Sequence, residues 1–185
     1  MRSFSIILLV LFVSFGFTKL KTKVKISPKS EVIIKGKSNV NSFQCKYDSS
    51  FLNNEIAVTS FQNNNKTSFE GAKIAIKSKG FECAPKMITK DLKTTLKAIE
   101  YPTIDIELNE LVINKTDYIA NITVQIAGKS KQYSLQVVFN PKNYNVSGQL
   151  KINIKDFDLK PPKKMLGLVE VNENVVIDFN LYLQY

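Results

Sequence analysis

The chain has 185 residues, room for one ordinary domain and not two, and 44% of them are hydrophobic, enough for a real core. Lys+Arg number 26 against 16 Asp+Glu, a formal charge of +10, and histidine is absent. That absence excludes His-based general-base catalysis, Ser-His-Asp triads and nearly every zinc or iron site. Tryptophan is missing too, Arg2 is the sole arginine, and two cysteines, Cys45 and Cys83, are too few for a metal cage. The composition points to a binding or structural domain.

The N-terminus reads as a secretory signal. A basic start at Arg2 precedes an apolar run from Phe4 to Phe17, with small residues at Ser14 and Gly16 and lysines returning from Lys19. The run is shorter than the roughly 20 residues a bilayer span needs. Residues 1–18 are therefore expected to be a signal peptide, cut near Gly16–Thr18, with one domain over 19–185. No cysteine follows the run to take a lipid anchor. Export to the periplasm or the medium makes a Cys45–Cys83 disulfide the expected state, with two buried free thiols as the alternative.

Most of the remaining chain alternates with the strand period of two. Weak strand signals lie at Val24–Ser27 and Glu31–Lys35. Phe43, Cys45 and Tyr47 then alternate with Ser42, Gln44 and Lys46, and further weak signals lie at Glu55–Phe61 and Phe69–Lys77. From Pro85 to Glu100 the apolar positions Met87, Ile88, Leu92, Leu96 and Ile99 follow helical spacing, between prolines that suit a start and a stop. After Thr103–Leu108 come the clear strands: Tyr118, Ala120, Ile122, Val124 and Ile126; then Tyr133, Leu135, Val137 and Phe139; then Leu150, Ile152 and Ile154; and last Val175, Ile177, Phe179, Leu181 and Leu183. Asn-rich turns and Gly128-Lys129-Ser130 separate them. The predicted fold is all-β with one inserted helix, an eight-stranded antiparallel barrel, with a two-sheet sandwich as the alternative. Closure removes exposed sheet edges, and eight strands are just wide enough to hold packed side chains or one small ligand.

Four stretches in order carry a family resemblance: Lys35-Gly36-Lys37-Ser38-Asn39-Val40-Asn41-Ser42-Phe43-Gln44-Cys45; Phe81-Glu82-Cys83-Ala84-Pro85-Lys86-Met87 with Tyr101-Pro102-Thr103-Ile104; Ile154-Lys155-Asp156-Phe157-Asp158-Leu159 through Val169; and Val175-Val176-Ile177-Asp178-Phe179-Asn180-Leu181. The chain resembles the exported bacterial form of the YceI-like, polyisoprenoid-binding proteins. The resemblance implies a lipocalin-like barrel with an interior channel for a long isoprenoid chain and no catalytic residues. Several relatives carry histidine near the place of Asn41 or beside the second cysteine; this chain has neither, so no histidine-dependent role is implied.

An apolar ligand needs continuous greasy walls and one polar mouth. The expected walls are Phe43, Ile122, Val124, Leu135, Val137, Phe139, Leu150, Ile152, Phe179 and Leu181, with Met87, Leu92 and Leu96 of the helix as an adaptable lid. Ser38, Asn39 and Asn41 are the candidate polar mouth. Lys160, Lys163 and Lys164, around Pro161-Pro162, are candidates to attract a diphosphate or an anionic membrane surface. Apart from a bound isoprenoid, no cofactor or metal is expected, and the protein is read as a monomer or homodimer. Nucleic acid is rejected as a partner, because the mature chain lacks the bidentate arginine fork and its lysines are not clustered with stacking aromatics. Asp156, Asp158 and Glu170 are the only suggestive carboxylates, and their spacing pairs none across a cleft, so no enzyme is expected. The expected function is non-enzymatic binding of a long apolar lipid for transport or storage in the cell envelope. The alternative is a ligand-free envelope or stress-response protein acting through surface contacts.

Overall fold

The structure is a computed structural model that describes residues 18–52, 55–114, 117–164 and 168–185; the signal-peptide reading lies outside these apart from Thr18. Alternating apolar residues generate strands β1 (Thr18–Ile26), β2 (Glu31–Lys37), β3 (Ser42–Tyr47), β4 (Glu55–Asn63), β5 (Lys66–Glu70), β6 (Lys73–Lys77) and β7 (Phe81–Ala84). The helix α1 (Lys86–Thr95) follows, and then β8 (Thr103–Asn114), β9 (Asp117–Ile126), β10 (Lys129–Asn140) and β11 (Asn145–Asn153). A short ribbon, β12 (Lys163–Lys164) with β13 (Val169–Glu170), precedes the last strand, β14 (Asn174–Gln184).

All pairings are antiparallel, and the order β1-β4-β5-β8-β9-β10-β11-β14 returns to β1, closing a ring of eight strands. The predicted all-β barrel with one inserted helix is the observed fold. Closure is narrow: β1 meets β14 only at Lys25↔Gln184 and Ile26↔Leu183. The ring is also longer than a simple barrel, because two long strands each take two partners along one edge. Strand β14 pairs with β1 through its C-terminal end and with β2 through Val176–Asn180, and β2 leads on to β3 and β7. Likewise β8 pairs with β5 over Glu110–Val112 and with β6 over Thr103–Glu107.

Two local breaks create this doubling. The sequence pattern predicts one strand over Phe69–Lys77, but Gly71 stands at φ +77° and divides it into β5 and β6. A Cβ there would lie 2.6 Å from the Ala57 carbonyl oxygen, so only glycine fits. In β8 the register shifts between Leu108 and Glu110, leaving Asn109 as an extra residue. Inward positions therefore run Ile104, Ile106, Leu108 and then Leu111, Ile113. The alternation predicted to end at Leu108 continues in the opposite phase.

The barrel has two distinct ends. The hairpins β4–β5, β8–β9 and β10–β11 gather at one, which we call the hairpin end. The other end carries the β9–β10 turn, the β2–β3 loop, α1 and the long connection from Ile154 to Glu173. There Ile154–Phe157 forms a 3-10 turn, and Phe157 and Leu159 are pressed into the barrel, Phe157 at 1% exposure. Ile154, predicted to prolong β11, instead opens this turn. Cys45 and Cys83 face one another directly across β3 and β7 and form the expected disulfide. Tyr47, 2% exposed, packs on Phe81 and accepts a hydrogen bond from the Lys77 amide, tying β3 to β6.

Candidate functional site

Strand register assigns the inward face. Across β8 to β14 it consists of rows such as Leu111–Ala120–Leu135 and Val146–Leu181, with Leu150 beside Ile177 and Ile152 beside Val175. The predicted wall residues Ile122, Val124, Leu135, Val137, Phe139, Leu150, Ile152, Phe179 and Leu181 all lie on this face, but they divide between two environments. Ile122, Val124, Leu135, Val137, Leu150 and Ile152 are buried among core neighbours such as Ile76, Ile104, Ile126 and Phe157. Phe139, Phe179 and Leu181 are only partly buried.

That partial exposure runs along the inward rows, from Val175, Ile177, Ile106 and Leu108 to the hairpin end. Leu111, Tyr118, Val146, Leu181 and Leu183 face inward and stay partly exposed. Ile113 and Leu20, on the same face at the rim, are 37% and 59% exposed. Tyr118 packs edge-on against Phe139 at 6.2 Å. Phe179 lies over Gly148, where a Cβ would come within 2.7 Å of its ring, so the glycine makes room for the aromatic inside the barrel. Sequence reasoning missed Leu111 and Ile113 because the bulge at Asn109 inverts their phase. Leu20 lay in the expected signal-peptide border, outside the alternation taken as strand.

An opening lies in the wall where β4 and β6 diverge beside Gly71. This cleft of about 430 Å³ is lined by Ile26, Phe51, Leu52, Ile56 and Ile74, with Glu55, Lys73 and Asp105 at its rim. Lys73 and Asp105 are ion-paired at 2.9 Å, and this contact raises the Lys73 pKa. A polar recess of about 370 Å³ by the β8 bulge is lined by Asn109, Glu110, Asn121 and Ser134. Its amides are mostly engaged with each other: Asn109 donates to Thr123, Asn121 to Glu110, and Ser134 to Asn121.

The expected mouth residues sit at the opposite end. Ser38 Oγ accepts from the Val40 and Asn41 amides and donates to the Asn41 carbonyl. Asn39 donates to the Leu168 carbonyl and accepts from the Glu170 amide. Ser38, Asn39 and Asn41 thus shape the β2–β3 loop and bind it to the β13 ribbon, because short polar side chains satisfy loop backbone groups. The helix also differs from the expected lid. Leu96 is buried and Leu92 partly buried, so α1 covers the closed end, whereas Met87 is 67% exposed and points away from the interior. Phe43 stacks over Gly36 at that same end.

Lys163 pairs with Glu170 at 2.7 Å and holds that carboxyl below its ordinary range. Lys129 does the same to Asp158, while Asp156 meets Lys131 at 3.5 Å and accepts from the Tyr133 hydroxyl at 3.3 Å. Burial, and then the Asp156 charge, push the Tyr133 pKa up to about 12. The three suggestive carboxylates are therefore partners of surface lysines and a tyrosine, and do not face one another across a cleft. Among the described residues no group of three or more potential metal ligands occurs, and no helix is long and apolar enough to cross a membrane.

A closed antiparallel ring of eight strands around an apolar interior defines the class of small lipocalin-like β-barrels. Residues 15–183 match the YceI-like domain, and the chain belongs to that family. BcnA of Burkholderia cenocepacia has a similar structure, with a TM-score of 0.56 at 17% identity over 87% of this chain and 100% of that one. The YceI protein of Campylobacter jejuni superposes with a TM-score of 0.49 at 16% identity, over 100% of this chain and 99% of its own. No curated protein matches the chain.

Proposed function

We propose that the protein binds a long apolar lipid of the polyisoprenoid type inside the hairpin half of its barrel, without catalysis, for carriage or storage in the cell envelope. The observation that carries this reading is the partial exposure of inward-facing Leu111, Tyr118, Val146, Phe179, Leu181 and Leu183. Side chains of this kind, left half-wet inside a barrel, gain about 0.8 kcal/mol for each ligand methylene that shields them, before the ligand's ordering cost. Membership in the YceI-like family and the absence of histidine support binding over chemistry. The Cys45–Cys83 disulfide supports an oxidising compartment, periplasmic or extracellular, and with it the reading of residues 1–18 as a cleaved signal.

The second reading, a ligand-free protein acting through its surface, draws on the solid packing around Val124 and Phe157. Native mass spectrometry and organic extraction of protein purified from its own host separate the two. A co-purifying isoprenoid is the expected result. A clean apo mass, with no uptake of added isoprenoid, would refute the carrier reading.

A further inference from the structure

The hairpin end combines two features around the open part of the interior. Its rim exposes the apolar or amphipathic side chains Leu20, Ile113, Val138, Tyr144 and Tyr185. Tyr144 and Tyr185 stack edge to face at 5.1 Å, next to Leu183, whose amide donates to the Tyr144 carbonyl. Beside these stand Lys19, Lys21 and Lys142. Lys19 lies 5.2 Å over the Phe61 ring, and none of the three lysines has a carboxylate partner among the described residues. Lys66 is the exception at this end, held by Glu110. At the opposite end Lys129, Lys131, Lys155 and Lys163 meet carboxylates, while Lys160, next to Leu159, meets none among the described residues.

Tyrosine, with an apolar ring and a wet hydroxyl, suits the boundary between hydrocarbon and water. Lysines flanking such a rim are drawn to anionic headgroups. Register makes the exposed rim continuous with the interior, since Leu20 lies opposite Ser60, and Ile113 lies opposite Tyr118. We infer that the hairpin end docks on an anionic lipid bilayer, with Leu20, Tyr144 and Tyr185 at headgroup depth and Lys19, Lys21 and Lys142 on the surrounding phosphates. The inference rests on the hairpin half being the lipid site: docking there would let a chain pass from bilayer to barrel without crossing water. It places the membrane contact at the end opposite Lys160 and Lys163.

The test is flotation of the host-purified protein with phosphatidylcholine vesicles, with and without phosphatidylglycerol. Binding is expected only with the anionic lipid and should fall with salt. One lysine at an anionic surface contributes roughly fivefold in partitioning. The triple variant K19E/K21E/K142E, which removes those attractions and adds repulsion, should therefore lose at least about 100-fold, whereas K86E/K90E/K160E, with the same net charge change at the closed end, should lose only a few-fold. Leu20→Asp should also weaken binding, with an unchanged circular dichroism spectrum. Equal flotation without phosphatidylglycerol, no flotation at all, or a larger loss in the closed-end triple would overturn the docking surface. Uptake of a short, water-dispersed isoprenoid in vesicle-free solution is read in parallel. If that uptake is absent while flotation persists, the interior site is wrong and the docking surface stands.

Discussion

The two halves of this barrel share the strands β8, β9, β10, β11 and β14, yet they are packed by different means. At the closed end Phe157, Leu159 and Leu96 come from connections outside the strands and fill the space between the walls. At the hairpin end the connections are short and supply no such plug, so inward residues such as Leu181 and Tyr118 keep contact with solvent. A strand pattern gives both halves the same apolar rows. What distinguishes core from cavity is whether a segment elsewhere in the chain has been folded in to complete the packing.

The sharpest way to break the comparison is to place the same charge in each half. Val124→Asp would bury a carboxylate at a site 1% exposed, opposite Lys131, whose charge Asp156 already engages. The cost should exceed about 5 kcal/mol, and circular dichroism should report an unfolded chain. Leu181→Asp, in the open half, should cost about 1–2 kcal/mol in urea unfolding while abolishing isoprenoid uptake. Comparable losses of stability at both sites would mean that the hairpin half is as solid as the other.

Next in size is the disulfide, which closes a loop of 38 residues within the closed half. Replacing both cysteines with alanine should lower stability by about 4 kcal/mol on the chain-entropy relation, without changing the lipid stoichiometry of folded protein. A stoichiometry that changes would show that the closed half shapes the lipid site.

The smallest effect concerns the pH response of the plug. Tyr133 titrates at about 12 in the folded protein, raised by burial and by Asp156, against an unfolded value near 10. Between those values the unfolded chain has released the proton that the folded chain retains. Stability from this group is therefore complete below the unfolded pKa and is lost as pH rises through the folded one. Asp156→Asn should move the late phase of the tyrosinate absorbance titration downward from about 12, with part of the elevation remaining from burial. No movement would remove Asp156 as a cause.

Much of this fold was legible because strand burial has a period of two. The rows Ala120–Ile126, Tyr133–Phe139 and Val175–Leu183 place inward residues correctly, and two cysteines have only one way to pair within one chain. The division at Gly71 was not legible, since the glycine's role depends on the Ala57 carbonyl contributed by another strand. The bulge at Asn109 hid Leu111 and Ile113 by reversing the alternation that was being followed. Met87 shared helical spacing with Leu92 and Leu96, but spacing tells only which residues share a face and not how far along the helix its cover extends.

Local chemistry along the chain thus determined the strand content, the inward rows, the single helix, the disulfide partners and the lack of histidine chemistry. The tertiary structure alone decided which end is plugged, because that depends on where Phe157 and Leu159 come to rest relative to strands many residues away. It also decided that Ser38, Asn39 and Asn41 hydrogen-bond within the β2–β3 loop and to the β13 ribbon. A periodic pattern specifies the face a side chain presents, whereas the distance across the barrel, and what occupies it, is set only when the sheet closes.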